Sequence, residues 1–350
     1  ENANALQWNK TGKLAGTASY VPNNTPDLFD ISLLNYADGW AVGKNKGGQL
    51  TILRWVAPNR WQDTHPRIKL NKQLFSVASV SSRQAWAVGQ ADGKHYTLLM
   101  WQGGDHNNWC LVKTNVRNAE KTKPKQHSRY CRLPAINTAF NQSRFDLHGI
   151  DAIDINGNGY SNLAFAVGGS RIKPIIIQFD GKRWREANLR ITQSDQIGRL
   201  NDVFIIPPAK DHLHSIEAWA VGKHQTNKKG KILRWNGRAW RKHATVRHIL
   251  RNIHMLDLNG DGRADMGWAV GDNGYIYHYN GKQWTENYIG IKRDLYSITA
   301  FNQNDVWVVG QKGLKAHWNG KQWQIIADSG KTLYAADSMG PKHSPMTSWY

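Results

Sequence analysis

The stretch "AWAVGKHQTNKKGKILRWNGRAW", residues 218–240, decides how the chain folds. It holds a short apolar run closed by Gly222, a basic loop and an alternating run ending at Trp235. An Asn-Gly turn and Trp240 follow. Asn-Gly between two alternating runs supplies the positive φ angles of a tight β-hairpin. Gly at the end of the first run fits a turn or a bulge.

The same pattern recurs. "GWAVG" (39–43), "AWAVG" (85–89), "AFAVG" (164–168), "AWAVG" (218–222), "GWAVG" (267–271) and "VWVVG" (306–310) form one series. An apolar run, a turn and a Trp follow each copy, as in "IIIQFDGKRW" (175–184), "YIYHYNGKQW" (275–284) and "LKAHWNGKQW" (314–323). Another short strand precedes each, such as "LFDISLL", "LHGIDAI" or "LYSITAF". Four up-and-down strands at a period of about 50 residues are the signature of a β-propeller, whose radial closure protects its sheet edges.

Six copies are complete, and two leftovers remain. The C-terminal "TLYAADSMGPKHSPMTSWY" reads as strands one and two, with Trp349 in the repeat slot. The N-terminal "ALQWNKTGK" reads as strand three and its turn, with Trp8 matching Trp235. The expectation is an all-β, seven-bladed propeller whose last blade is closed by N- and C-terminal segments. It is a single domain over 1–350, with a basic insertion, 110–144, between blades two and three. The repeat slots absorb all 17 Trp, so the high count does not require a sugar-stacking lectin.

These repeats resemble the bacterial secreted propellers built from Trp-Ala-Val-Gly units, and more distantly the propellers of the photosystem II assembly factor type. The resemblance spans nearly the whole chain. It implies a binding scaffold and no particular partner, because fold and function separate in such architectures.

Composition bounds the partner. Lys and Arg number 46 against 26 Asp and Glu, a net charge of +20. Such a field attracts polyanions. In a propeller, the inter-blade and second-to-third-strand loops share one face, and these loops include "KNKGG", "SRIKP", "KHQTNKKGK" and "IGIKRD". The second residue of each inner strand should ring the channel there: Phe29, Phe75, His148, Asn201, Arg251, Tyr296 and Tyr334. The reading is a binding scaffold, secreted or periplasmic and monomeric, whose basic face engages an acidic polysaccharide or an acidic protein surface. Non-specific nucleic-acid binding is an alternative carried by charge alone. A lyase of uronic-acid polymers is another, with His148, Arg251, Tyr296 and Tyr334 supplying the cation and the proton shuttle. No serine-nucleophile elbow, phosphate loop or His-Glu-x-x-His motif is present. His212 and His214 lack a third metal partner.

Cys110 and Cys131 are the only cysteines and flank a basic segment. A disulfide there closes a loop of about twenty residues, stabilises by about 3 kcal/mol and implies an oxidising compartment. The first residue, Glu1, is consistent with a processed secreted chain.

Two loops between strands one and two suggest structural calcium. "LDLNGDGRAD" places Asp257, Asn259, Asp261, the Arg263 carbonyl and Asp265 at alternating positions, with Gly262 at the bend. "IDINGNGYSN" offers Asp154, Asn156, Asn158, the Tyr160 carbonyl and Asn162. Neither has the bidentate Glu of an EF-hand, and an Asx-turn network would build the same turns without metal.

Overall fold

The computed structural model describes residues 26–337, except 36, 57–59, 65–70, 94–95, 105–107, 113–130, 132–144 and 209–215. Within them, 24 strands, β1 to β24 in chain order, build six four-stranded antiparallel sheets. The sheets are blades one (β1–β4) to six (β21–β24), and in each the strands pair in sequence order. The inner strands are β1 (Asp27–Asn35), β5 (Leu74–Ser81), β9 (Leu147–Ile153), β13 (Ile197–Ile206), β17 (Leu250–Leu256) and β21 (Leu295–Asn302).

Among the described residues the expected seventh blade is not formed, and the propeller has six blades. Of the two leftovers, only 332–337 is described, and it joins no sheet. It stands between β21 and β1, with Ala336 N–H donating to Ser297 Oγ (3.2 Å) and Leu33 N–H donating to Asp337 (2.8 Å). The reason is local. Each real blade is assembled by hairpins along one continuous stretch, whereas the leftovers lie at opposite chain ends and lack the Trp-Ala-Val-Gly run. Trp8 and Trp349 lie outside the described residues.

The core lies between blades. Five apolar clusters join blades one and two, two and three, three and four, four and five, and five and six. The second-strand aromatic is the wedge. Trp40 sits 5.0 Å from both Trp101 and Trp109 of the next blade. Phe165 sits 5.3 and 5.1 Å from Trp235 and Trp240. Trp219 meets Tyr279 and Trp284 at 5.0 and 5.9 Å. These tilted and edge-on pairs suit aromatic quadrupoles. Trp40, Phe165 and Trp219 are therefore packing residues, each locking its blade to the next.

The repeat Gly has an equally definite cause. Each inner strand carries a β-bulge near its start, where its backbone presses on the end of its neighbour. A Cβ on Gly271 would lie 1.8 Å from the Ile249 carbonyl oxygen, and one on Gly43 would lie 1.9 Å from that of Asp27. Only glycine leaves room.

The Cys110–Cys131 disulfide forms, with Cα atoms 4.9 Å apart, and Cys131 N–H donates to the Leu111 carbonyl (3.0 Å). Other insertion residues from 113 to 144 lie outside the described set, as do His212 and His214. Among the described residues, no helix is long and apolar enough to cross a membrane.

A Gly271→Ala substitution should destabilise the protein by about 1–3 kcal/mol, the usual cost of overpacking. Urea unfolding measures it, and an unchanged midpoint would refute the close-approach account.

Candidate functional site

The bulge aims side chains at the channel. In every inner strand the bulged residue is the one expected to ring the mouth: Phe29, Phe75, His148, Asn201, Arg251 and Tyr296. An extra residue in the ladder leaves its side chain free of sheet pairing. Tyr334 completes the ring from the segment beside β1. Ring centroids run Tyr296–Tyr334 at 5.0 Å, Tyr334–Phe29 at 5.4 Å, Phe29–Phe75 at 6.3 Å and Phe75–His148, stacked, at 4.7 Å. Asn201 donates to the Leu250 carbonyl (2.6 Å), and Arg251 lies 4.9 Å over Tyr296. All seven residues thus lie around one opening.

The opening has two unlike halves. Blades six, one and two contribute an aromatic arc from Tyr296 to Phe75. Blades three and four contribute cations. Arg199, its Nε donating to Asn201 Oδ1 (3.0 Å), follows the start of β13. Lys223 lies in the neighbouring strand β14 (Glu217–His224), where Leu200 opposes Gly222. Arg171 comes from the blade-three loop, whose carbonyl chain lies against blade four: Gln225 Nε2 donates to the Ile172 oxygen (2.9 Å). Exposed Lys173, Lys228 and Lys229 extend the row outward. None of these six cations forms an ion pair among the described residues. Burial, and then Arg251, hold the Arg199 guanidinium below its usual range. Burial, then Arg199 and Arg171, lower Lys223.

His148 sits where the arcs meet. Burial, then the charges of Arg199 and Lys223, push its imidazole down to about 3. It is neutral at physiological pH. Arg251, by contrast, is spent: its guanidinium reaches Asp272 at 2.8 Å and Asp294 at 3.1 Å.

The twin loops lie at the opposite ends of the strands. Asp257 accepts the N–H groups of Gly260 (2.8 Å), Asp261 (3.2 Å) and Gly262 (2.7 Å), while Asp265 accepts those of Leu258 (2.8 Å) and Asn259 (3.2 Å). The blade-three loop repeats this map with Asp154 and the neutral Asn162. These are Asx turns closed by backbone amides. Among the described residues, no three His, Cys, Asp or Glu side chains are grouped to hold a metal ion. A calcium ion would have to share oxygens already bonded to amides, using the second lone pair of each.

The loops also do something the sequence did not announce. Buried Ser161 donates its N–H and hydroxyl to Gln84 Oε1 of blade two (2.7 and 2.8 Å) and accepts from the Trp86 indole (3.0 Å). Ala264 N–H likewise donates to Glu217 of blade four (3.3 Å), which also holds the Trp219 indole (2.6 Å) and Arg234. Each loop latches its blade onto the preceding one. The only sequence signal was a polar residue beside the repeat Trp, Gln84 or Glu217.

No known protein family and no curated protein matches the sequence. Solved structures do. A structure titled "YCF48 bound to D1 peptide" aligns with a TM-score of 0.55 at 18% identity, covering 87% of this chain and 84% of that one. YCF48 from Cyanidioschyzon merolae aligns at 0.54 and 14% identity, covering 89% and 88%. The WD40 repeats of RRP9 align at 0.56 and 8% identity, covering 90% and 85%. These likenesses establish a β-propeller fold, including a distant resemblance to YCF48.

Because the folded-state pKa of His148 lies below its unfolded value of 6.5, the neutral form favours folding. That contribution is complete above pH 6.5 and is lost as pH falls towards 3. The His148 ring signals in an NMR titration should be flat from pH 5 to 8. A midpoint near 6.5 would show that the ring is open to solvent.

Proposed function

We propose that this propeller is a non-catalytic binding scaffold, secreted or periplasmic, whose basic face engages an anionic partner, an acidic polysaccharide or an acidic protein surface. One observation carries the reading: six cations, Arg171, Lys173, Arg199, Lys223, Lys228 and Lys229, run outward from the channel mouth and form no ion pair among the described residues. Gathering like charges costs folding energy, and an anion would relieve it. On the next blade Arg251, by contrast, is paired with two carboxylates.

Binding is favoured over lyase chemistry. Of the residues expected to serve a lyase as cation and proton shuttle, Arg251 is committed to two aspartates and His148 is stacked on Phe75. The disulfide supports an oxidising compartment.

The test is a titration of oligouronate, poly-glutamate and single-stranded DNA across salt. Log affinity should fall linearly with log salt, and a Lys228→Gln/Lys229→Gln variant should bind roughly tenfold more weakly with a shallower slope. Absence of binding by any polyanion at low salt would refute the reading.

Calcium belongs to the proposal only as a stabiliser of the 257–265 turn, supported by its spaced oxygen donors. Millimolar calcium should then raise the melting temperature of the wild type by a few degrees and leave Asp257→Ala unaffected. An unshifted wild-type melting curve would remove calcium from the account.

A further inference from the structure

The row of cations ends against a row of aromatic rings on blade five. Gly230, next to Lys229, lies against the His248 carbonyl: a Cβ there would be 2.3 Å from that oxygen. His248 belongs to the loop between blades four and five. Its ring stacks on Tyr275, centroids 3.8 Å apart and planes 11° from parallel. Tyr275 in turn meets Tyr288 at 5.0 Å. Tyr275 opens β19 (Tyr275–Tyr279) and Tyr288 closes β20 (Trp284–Tyr288), so both lie at the loop face that carries the cations. Tyr288 is 50% exposed, which leaves one end of the stack open.

The imidazole is held in one orientation and one tautomer. Tyr277 donates its hydroxyl proton to Glu286 (2.7 Å). A phenol has one proton, so the 2.8 Å contact between Tyr277 Oη and His248 Nδ1 must be donated by the imidazole. The His248 backbone N–H points at the same oxygen (3.2 Å). With hydrogen on Nδ1, the neutral ring presents Nε2 as an acceptor. Burial lowers the His248 pKa and favours this neutral form.

A ring face, a fixed acceptor and adjacent cations together match one ligand chemistry. Sugars present apolar ring faces, and hydroxyl donors on every unit. Acidic peptides lack the ring face, and nucleic-acid backbones offer few donors. We propose that the rim of blade five is a carbohydrate subsite for an acidic polysaccharide. One sugar ring packs on Tyr288, a hydroxyl of a neighbouring unit donates to His248 Nε2, and carboxylates pair with Lys228 and Lys229. This rests on the basic-face reading and narrows its partner to a glycan.

The test compares three probes on the intact chain: a hexamer of α-1,4-linked galacturonate, a glutamate peptide of equal charge and single-stranded DNA. Tyr288→Ala should weaken the uronate hexamer roughly fivefold, within the range of a single aromatic contact. It should leave the glutamate peptide within about twofold, and Tyr288→Trp should restore the hexamer. Matched melting curves establish that both variants fold. Equal effects on hexamer and peptide, or none on either, overturn the subsite. So does DNA that binds more tightly than the hexamer and loses affinity on Tyr288→Ala, which would indicate base stacking. Peptide binding without hexamer binding overturns the subsite and spares the basic-face reading. No binding of any probe overturns both.

Discussion

A strand at the centre of a propeller has a sheet partner on one side only, and the rest of this molecule follows from how its free edge is satisfied. Buried backbone N–H groups need acceptors. Here each inner strand lends a side chain to the next. Asp30 accepts from Val77 N–H (2.9 Å), Ser76 from Ile150 (3.2 Å), Asp151 from Ile205 (2.8 Å), Asp202 from Ile253 (3.0 Å) and Asn252 from Ile298 (2.8 Å). Ser297 then accepts from Ala336, and Asp337 from Leu33, which closes the circle. The girdle explains how a chain segment with no ladder of its own completes the propeller. It needs only the right amide and the right carboxylate.

The girdle also explains the bulge. A short oxygen-bearing side chain must point along the inner edge immediately after the residue that enters the channel, as in Phe29–Asp30, Asn201–Asp202 and Arg251–Asn252. The bulge turns the first of each pair into the mouth and the second towards the neighbouring strand. The glycine of the second strand makes room for that turn. One local distortion, repeated, thus holds the ring and turns six side chains into the channel mouth.

Much of this was legible from spacing alone. The period, the Asn-Gly hairpins and the Trp slots specify blades because each arises within one continuous stretch. The mouth residues were legible for the same reason, since each is the second residue of an inner-strand run. Blade number was not, because it depends on how chain ends more than three hundred residues apart meet, and a Trp in register says nothing about pairing. The girdle escaped because its members, Asp, Ser and Asn, have no common chemistry in sequence except an oxygen. Blade three even moves the acceptor from the place after His148, where a Cβ on Gly149 would lie 2.7 Å from the Asp202 Cα, to Asp151. The latch role of the twin loops escaped because a calcium-like spacing and an Asx-turn spacing are the same pattern.

The two faces of the propeller follow different rules, and that difference bears on function. On the face of the twin loops, polar groups are consumed: Ser161 and Ala264 fasten neighbouring blades, and Asp257 and Asp154 hold backbone amides. On the mouth face of blades three and four, six cations form no ion pair among the described residues, while Arg251 on the next inner strand has two. A protein that needed only to be soluble could distribute such charge anywhere. Concentrating it beside a ring of bulged residues that take no part in strand pairing, and against the His248–Tyr275–Tyr288 row, sets stability against recognition within a few strands. The latched face carries the rigidity that permits this. Likenesses at 8 to 18% identity reach only the shared fold, so the mouth face has to be read from its own residues.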